Sequence, residues 1–447
     1  MFDIDFSYLS AEGVSKANQL KSSDIAKDKE RIKETFRKVS DLQADNKLVW
    51  ATLPFDMQSR TAEIKRAAIG YRKYENFVVL GMGGSARGVI ALKNALLSTL
   101  HNGLSRSKRR APKLYIEEDI CPNRFSELLG HIDPCNTVFN IITKSGETIE
   151  VMAQFLLIKK MLEDKLGANA KDHIVVTTTI GSGRLYEIAV QEGYRIFDIP
   201  KGLGGRFSTL CAIGLLPLAS VGADIDEILA GARDACKMCK SADMDKNLAL
   251  RAAYTHYFYM EKNKNTVIFM PYSCLLKGTT GFFCQLWAES LGKKVLGGKG
   301  DKRVGQIPVP AEGVSDQHSL LQLMMDGPDD KLTVFLKIKD FGVELKMPSS
   351  VPKGLEYLAG LSMGELLNIE HDSTVQSLAK AGRPSYTIVL PKMNERVIGQ
   401  LLQHFMFQVA YAGELLGVNT YDQPGVEHYK MLTLNKLKET LTSRSSK

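Results

Sequence analysis

No stretch of about 18 or more uncharged apolar residues occurs in the 447-residue chain, so no membrane-spanning helix is expected. The opening residues, "MFDIDFSYLS", carry two acids and lack the basic start and apolar run of a secretory leader. Cysteine is sparse and odd in number: Cys121, Cys135, Cys211, Cys236, Cys239, Cys274 and Cys284. Scattered in this way they do not form a disulfide framework, and they point to reduced thiols in a cytoplasmic protein. The one Cys-x-x-Cys, Cys236 to Cys239, has no second pair to complete a tetrahedral zinc site, and it lies in a helical pattern rather than after a strand. The eight histidines show no pair at ligand spacing, so neither a metal nor a redox centre is expected. Low-complexity tracts and short-period repeats are also missing.

What is present is the composition of a globular enzyme, 44% hydrophobic and 24% charged, long enough for two or three domains. The net charge of +8 is modest and dispersed. Its one cluster, "SRSKRR" at 105–110, sits between Gly103 and Pro112 and reads as a solvated loop rather than a nucleic-acid surface. Spaced apolar positions in 11–45 predict helix. From about residue 75 short β-branched runs alternate with helical stretches: 77–81, 113–118, 137–143, 173–179 and 194–200 read as strands, with a helix over 148–165. After a helical stretch over roughly 209–262 the rhythm restarts with strands at 265–273, 294–298, 332–338 and 386–392. This alternation predicts an α/β protein with two doubly wound parallel sheets flanked by helices. The expected division is an N-terminal helical segment 1–55, domains 56–230 and 231–435, and a C-terminal tail 436–447 whose end, 442–447, is expected to fray.

Two glycine turns carry the chemistry. "FVVLGMGGSARG" at 77–88 runs from a strand into a turn that opens a helix, where backbone N–H groups receive phosphate. Gly81-x-Gly83-x-x-Ala86 fits a dinucleotide fingerprint, which would require an acid about 20 residues on for the ribose. Positions 99–110 contain none, and Glu117 and Glu118 come more than 30 residues after Gly84. The second turn, "NIITKSGETIE" at 140–150, gathers Thr143, Lys144, Ser145 and Thr148 at a helix start. An ordinary cap needs one hydroxyl; three hydroxyls and an ammonium make a compact anion site. One phosphate monoester fits these two turns better than a pyrophosphate.

"GMGGSARG" followed by "TKSGETIE" resembles the first sugar-isomerase (SIS) domain of the phosphoglucose isomerase family. "GLGGRFSTLCAIGLLP" at 202–217, "QLWAES" at 285–290, "DQHSLLQL" at 316–323 and "NTYDQPGVEHYK" at 419–430 resemble its further signatures, in the family's order. Lys201, Tyr429 and the Glu147 of "TKSGET" depart from the usual pattern but leave each functional side chain in place. The resemblance implies aldose–ketose isomerisation of glucose 6-phosphate and fructose 6-phosphate through a cis-enediolate, without cofactor or metal. It implies Glu289 as the base between C2 and C1, His318 as ring opener with Lys430 assisting, and Arg206 stabilising the enediolate. Gly84, Ser85, Thr143, Lys144, Ser145 and Thr148 would hold the phosphate, and Gly205, Gln285 and Gln423 would line the site. In the family the ring-opening histidine comes from the neighbouring subunit, so a homodimer with a shared site is expected. The alternatives are a non-catalytic SIS regulator that binds a sugar phosphate, a dual phosphoglucose and phosphomannose isomerase, and a nicotinamide-dependent oxidoreductase.

Overall fold

The computed structural model describes residues 1–10, 14–297 and 301–445. After an initial short strand, β1 (Asp3–Asp5), the chain builds a parallel sheet from β2 (Asn76–Gly81), β3 (Lys113–Glu117), β4 (Thr137–Ile142), β5 (Ile174–Thr178) and β6 (Arg195–Asp198), ordered β3-β2-β4-β5-β6. β2 and β4 are buried along their whole length, which explains why they read as continuous apolar runs rather than alternating ones. The order reverses between β2 and β4. In an open parallel sheet such a reversal leaves a crevice beyond the strand ends, where ligands bind.

The second sheet consists of β7 (Thr266–Pro271), β10 (Ile307–Pro310), β11 (Lys331–Asp340) and β12 (Ser385–Lys392), all parallel, with β1 antiparallel at one edge. A ribbon of β8 (Lys293–Lys294) and β9 (Arg303–Val304) stands apart from it. One continuous apolar core joins the inner faces of both sheets, from Phe77 and Val79 to Phe269 and Leu336, through the buried helix Glu395–Leu416.

Most predicted strands are found within a few residues. The exceptions have local causes. Of residues 294–298, only Lys294 is in a strand, at the end of β8, and a turn with Gly297 at a positive φ of 65° follows; residue 298 lies outside the described residues. β10 holds Pro308 and Pro310, so its sequence does not read as a strand; it is tolerated because β10 is a sheet edge. The N-terminal helix expected over 11–45 is two helices, Ser22–Lys27 and Lys29–Ala44, and residues 11–13 lie outside the described residues. The stretch 209–262 is three helices, broken first near Gly222, whose φ is 99°. The expected fraying of the tail is contradicted as far as it is described, because the helix Glu427–Ser445 runs through it.

"SRSKRR" is also not a plain solvated loop. It forms the helix Arg106–Arg109, whose Arg109 side chain is fully buried, paired with Glu75 at 2.6 Å and donating to the Ala111 carbonyl at 2.7 Å. Arg106 donates to the Tyr74 and Arg72 carbonyls. Two of the cluster's cations are therefore structural.

Candidate active site

The two glycine turns lie side by side because Gly81 pairs with Ile142 at the carboxyl ends of β2 and β4. The helix Gly84–Leu96 starts directly from Gly83, at φ 51°, with no side chain capping it. Across the crevice the Thr143 hydroxyl lies 2.7 Å from that of Thr148 and 3.4 Å from that of Ser145. Thr148 holds the N-cap position of the helix Ile149–Leu166, yet its hydroxyl meets Thr143 and makes no cap bond. Two helix N-termini, uncapped by side chains, thus face a cluster of hydroxyls. Ser85 is buried in the first turn of its helix; Lys144 is exposed at the rim of the other turn.

The helix Lys277–Leu291 from the second half of the chain crosses this crevice. It runs antiparallel to Gly84–Leu96, as three close approaches show. A β-carbon on Gly278 would fall 2.7 Å from the Ile90 carbonyl oxygen, one on Gly281 3.0 Å from an Arg87 nitrogen, and one on Gly83 3.1 Å from the Gln285 amide nitrogen. This register carries Gln285 to the start of the opposing helix and places Glu289 one turn, about 5.4 Å, beyond it. Four residues apart, the two side chains share a face, and the Gln285 Nε2 donates to Glu289 Oε2 at 3.1 Å.

The third wall is "GLGGRF". A β-carbon on Gly84 would fall 2.2 Å from the Gly205 carbonyl carbon, so the glycine is required for the two backbones to approach. Arg206 follows, 3% exposed. Its Nε donates to Ser290 Oγ at 2.7 Å, Nη1 to Gln423 Oε1 at 3.0 Å, and Nη2 to the Thr420 and Asp422 carbonyls at 2.5 and 3.1 Å. Nη1 also stands 3.4 Å from Glu289 Oε1. Burial pulls the guanidinium pKa below its usual value, opposed by the Glu289 and Asp422 carboxylates. A guanidinium remains cationic under such conditions.

The Glu289 side opens into a cleft of about 650 Å³ lined in part by Glu289, Lys293, Asp422 and Gln423. Together the walls offer hydroxyls at two uncapped helix N-termini, which suit an anion, a carboxylate held by an amide, and a permanent cation beside it. That is the equipment for moving a proton next to a carbonyl.

His318 and Lys430 do not lie in the cleft wall. His318 ends the short 3-10 turn Ser315–His318 and is exposed. Its neighbour Gln317 anchors that turn, donating to Tyr272 Oη at 2.6 Å and Thr374 Oγ1 at 2.7 Å. Lys430 lies on the exposed helix Glu427–Ser445, paired with Glu427 at 2.8 Å.

Sequence reasoning missed Ser290, Lys293 and the carbonyls of Thr420 and Asp422. The first two stand beside Glu289 in "AESLGKK", which was the available signal; carbonyl acceptors leave no sequence signal. The dinucleotide reading gains nothing from β3. Glu117 ends the strand next to β2, but Arg124 takes both its oxygens at 2.8 and 2.9 Å, and Gln285 stands over Gly83. Cys236 and Cys239 are buried, and burial pushes both thiols up, Cys236 to about 12, which suits inert packing rather than redox chemistry. Among the described residues no group of three or more acidic, histidine or cysteine side chains could hold a metal ion, and no helix is long and apolar enough to cross a membrane.

The profile of the family described as Phosphoglucose isomerase matches residues 53–343 and 356–447. The chain belongs to the phosphoglucose isomerase family. It is 39% identical to a glucose-6-phosphate isomerase of Carboxydothermus hydrogenoformans, over 93% of this chain and 90% of that one. A glucose-6-phosphate isomerase of Thermus thermophilus is 37% identical over 87% of this chain and 90% of its own. In structure the chain resembles a hypothetical protein from Thermus thermophilus, with a TM-score of 0.88 and 33% identity, covering 98% of this chain and 100% of that one. Membership in the phosphoglucose isomerase family agrees with two parallel sheets flanked by helices.

Proposed function

We propose that this protein interconverts glucose 6-phosphate and fructose 6-phosphate, with Glu289 as the base that moves one proton between C2 and C1 of the open-chain sugar. The observation that carries the assignment of residues is the Glu289 carboxylate, held between the Gln285 amide at 3.1 Å and the Arg206 guanidinium at 3.4 Å, beside an anion cradle. A single carboxylate can reach two adjacent carbons, which aldose–ketose exchange requires because the same proton leaves one and joins the other. A positioned base of this kind contributes on the order of 10²–10⁴ in rate. Arg206 faces the enediolate oxygen as charge develops there. Gly84, Ser85, Thr143, Lys144, Ser145 and Thr148 hold the phosphate, and Gly205, Gln285 and Gln423 line the sugar.

His318 opens the ring from a partner subunit, assisted by Lys430. Its exposure on an anchored turn supports this, as do the exposed apolar side chains Met431, Leu434, Leu437 and Leu441 on the helix that bears Lys430. A homodimer with shared sites follows. The two SIS-type domains are taken as 56–230 and 231–435, one sheet in each. Exposed free thiols at Cys121, Cys135 and Cys274 fit a cytoplasmic protein.

The test replaces Glu289 with Gln. In a coupled assay without added metal, turnover of fructose 6-phosphate falls by at least about 10²-fold, and exchange of the C2 proton with deuterated water falls with it. Near-normal exchange and turnover would remove Glu289 from the role of base.

A further inference from the structure

Lys293 follows the helix that carries Glu289, and its side chain is only 8% exposed. An ammonium has three N–H donors. Lys293 Nζ meets three acceptors: the Asn419 carbonyl, the Asp422 carbonyl at 2.6 Å and the Asp422 carboxylate at 2.7 Å. Arg206 approaches the same turn from the other side through Thr420, Asp422 and Gln423, so both cations share the Asp422 carbonyl. The turn 419–423 is thus clamped between two cations, one of which also faces Glu289. Such an arrangement has an electrostatic cost: burial and the nearby Arg206 charge pull the Lys293 pKa down, and the Asp422 and Glu289 carboxylates oppose this.

We propose that Lys293 is a positioning residue for the isomerase site, holding the turn 419–423 so that Gln423 and Arg206 keep their places against Glu289. With all three donors engaged, no N–H is left for the sugar, so its effect passes through the turn. The proposal rests on the reading above in which Arg206, Gln423 and Glu289 meet the substrate. Because the phosphate cradle lies on other loops, loss of Lys293 lowers kcat and leaves KM nearly unchanged.

The experiment is a double-mutant cycle on the full chain with Lys293→Met, Gln423→Ala and both, assayed with fructose 6-phosphate. Lys293→Met lowers kcat by about 10- to 100-fold with KM changed less than about 3-fold, and the double variant falls no more than about 3-fold below the weaker single variant. Lys293→Arg, which keeps a cation able to reach the same carbonyls, recovers part of the loss. Losses that simply multiply would overturn the proposal while leaving the site intact. A Gln423→Ala enzyme with wild-type kcat would instead sink the site reading and this proposal with it. Should Lys293→Met not fold, Asp422→Ala removes one of the three acceptors; unchanged kcat in that variant overturns the clamp.

Discussion

Arg206 Nη1 and Glu289 Oε1 lie 3.4 Å apart, although each residue is fixed mainly by other partners. Ser290 and the turn 420–423 hold the guanidinium, and Gln285 holds the carboxylate. Cation and carboxylate therefore stand side by side without saturating each other.

Replacing Arg206 with Lys keeps a charge but loses the planar fork that reaches Ser290, Thr420, Asp422 and Gln423 together. The expected result is a fall in kcat of roughly 10²–10³-fold, the usual effect of removing a preorganised oxyanion donor. Steady-state kinetics with both substrates measure it. A loss confined to KM would mean that Arg206 binds the ground state only.

Gly84→Ala drives a methyl into the Gly205 backbone, which stands 2.2 Å from the would-be β-carbon. The glycine turn at 81–84 and "GLGGRF" must then separate, lowering stability by about 1–3 kcal/mol and activity by at least about tenfold. Gly103→Ala, where nothing lies within 4 Å, is the control and stays close to wild type in both. Thermal melts and the coupled assay read the two effects.

The proposed sharing of sites between subunits predicts complementation. Glu289→Gln and His318→Ala proteins, each nearly inactive, regain activity when mixed under subunit exchange, up to about a quarter of wild-type sites by random reassortment. No recovery despite verified exchange would place His318 outside the partner's site.

Two buried histidines make stability pH-dependent. Burial pulls His256 down to about 4, and it also pulls His404, packed edge-on against Phe2, down to about 3. Both stay neutral when folded, whereas an unfolded chain takes up protons below about pH 6.5. The unfolded state therefore gains protons first, and stability falls as pH drops from about 6.5 toward 4, by up to about 1.4 kcal/mol per pH unit for each group. Above pH 6.5 neither contributes. A His404→Leu variant should show a shallower decline, its stability gap to wild type changing by roughly 2–3 kcal/mol between pH 6.5 and 4.5. A gap constant across that range would mean that His404 becomes charged inside the folded protein.

The buried runs of β2 and β4, and the hydroxyls of 143–148, were legible because each is a local signal: apolar continuity, glycine punctuation, several polar groups at one helix start. β10 was not, because its prolines break the strand pattern and only its edge position makes them harmless. The basic cluster misled for a related reason. Charge in a sequence does not reveal that Arg109 finds Glu75, 34 residues away.

Sequence by itself determined which side chains are available and their local spacing. It put Gln285 and Glu289 on one helix face and Ser85 in a helix-opening turn. Only the tertiary structure decided that Arg206 meets Ser290 across 84 residues and Gln423 across 217. The reason is that periodicity encodes which face of an element is buried, not which element covers it. That choice came from the antiparallel seating of Lys277–Leu291 on Gly84–Leu96, where Gly278 lets the two helix backbones close, and from Gly84, which lets the Gly205 backbone approach to a distance no side chain would allow.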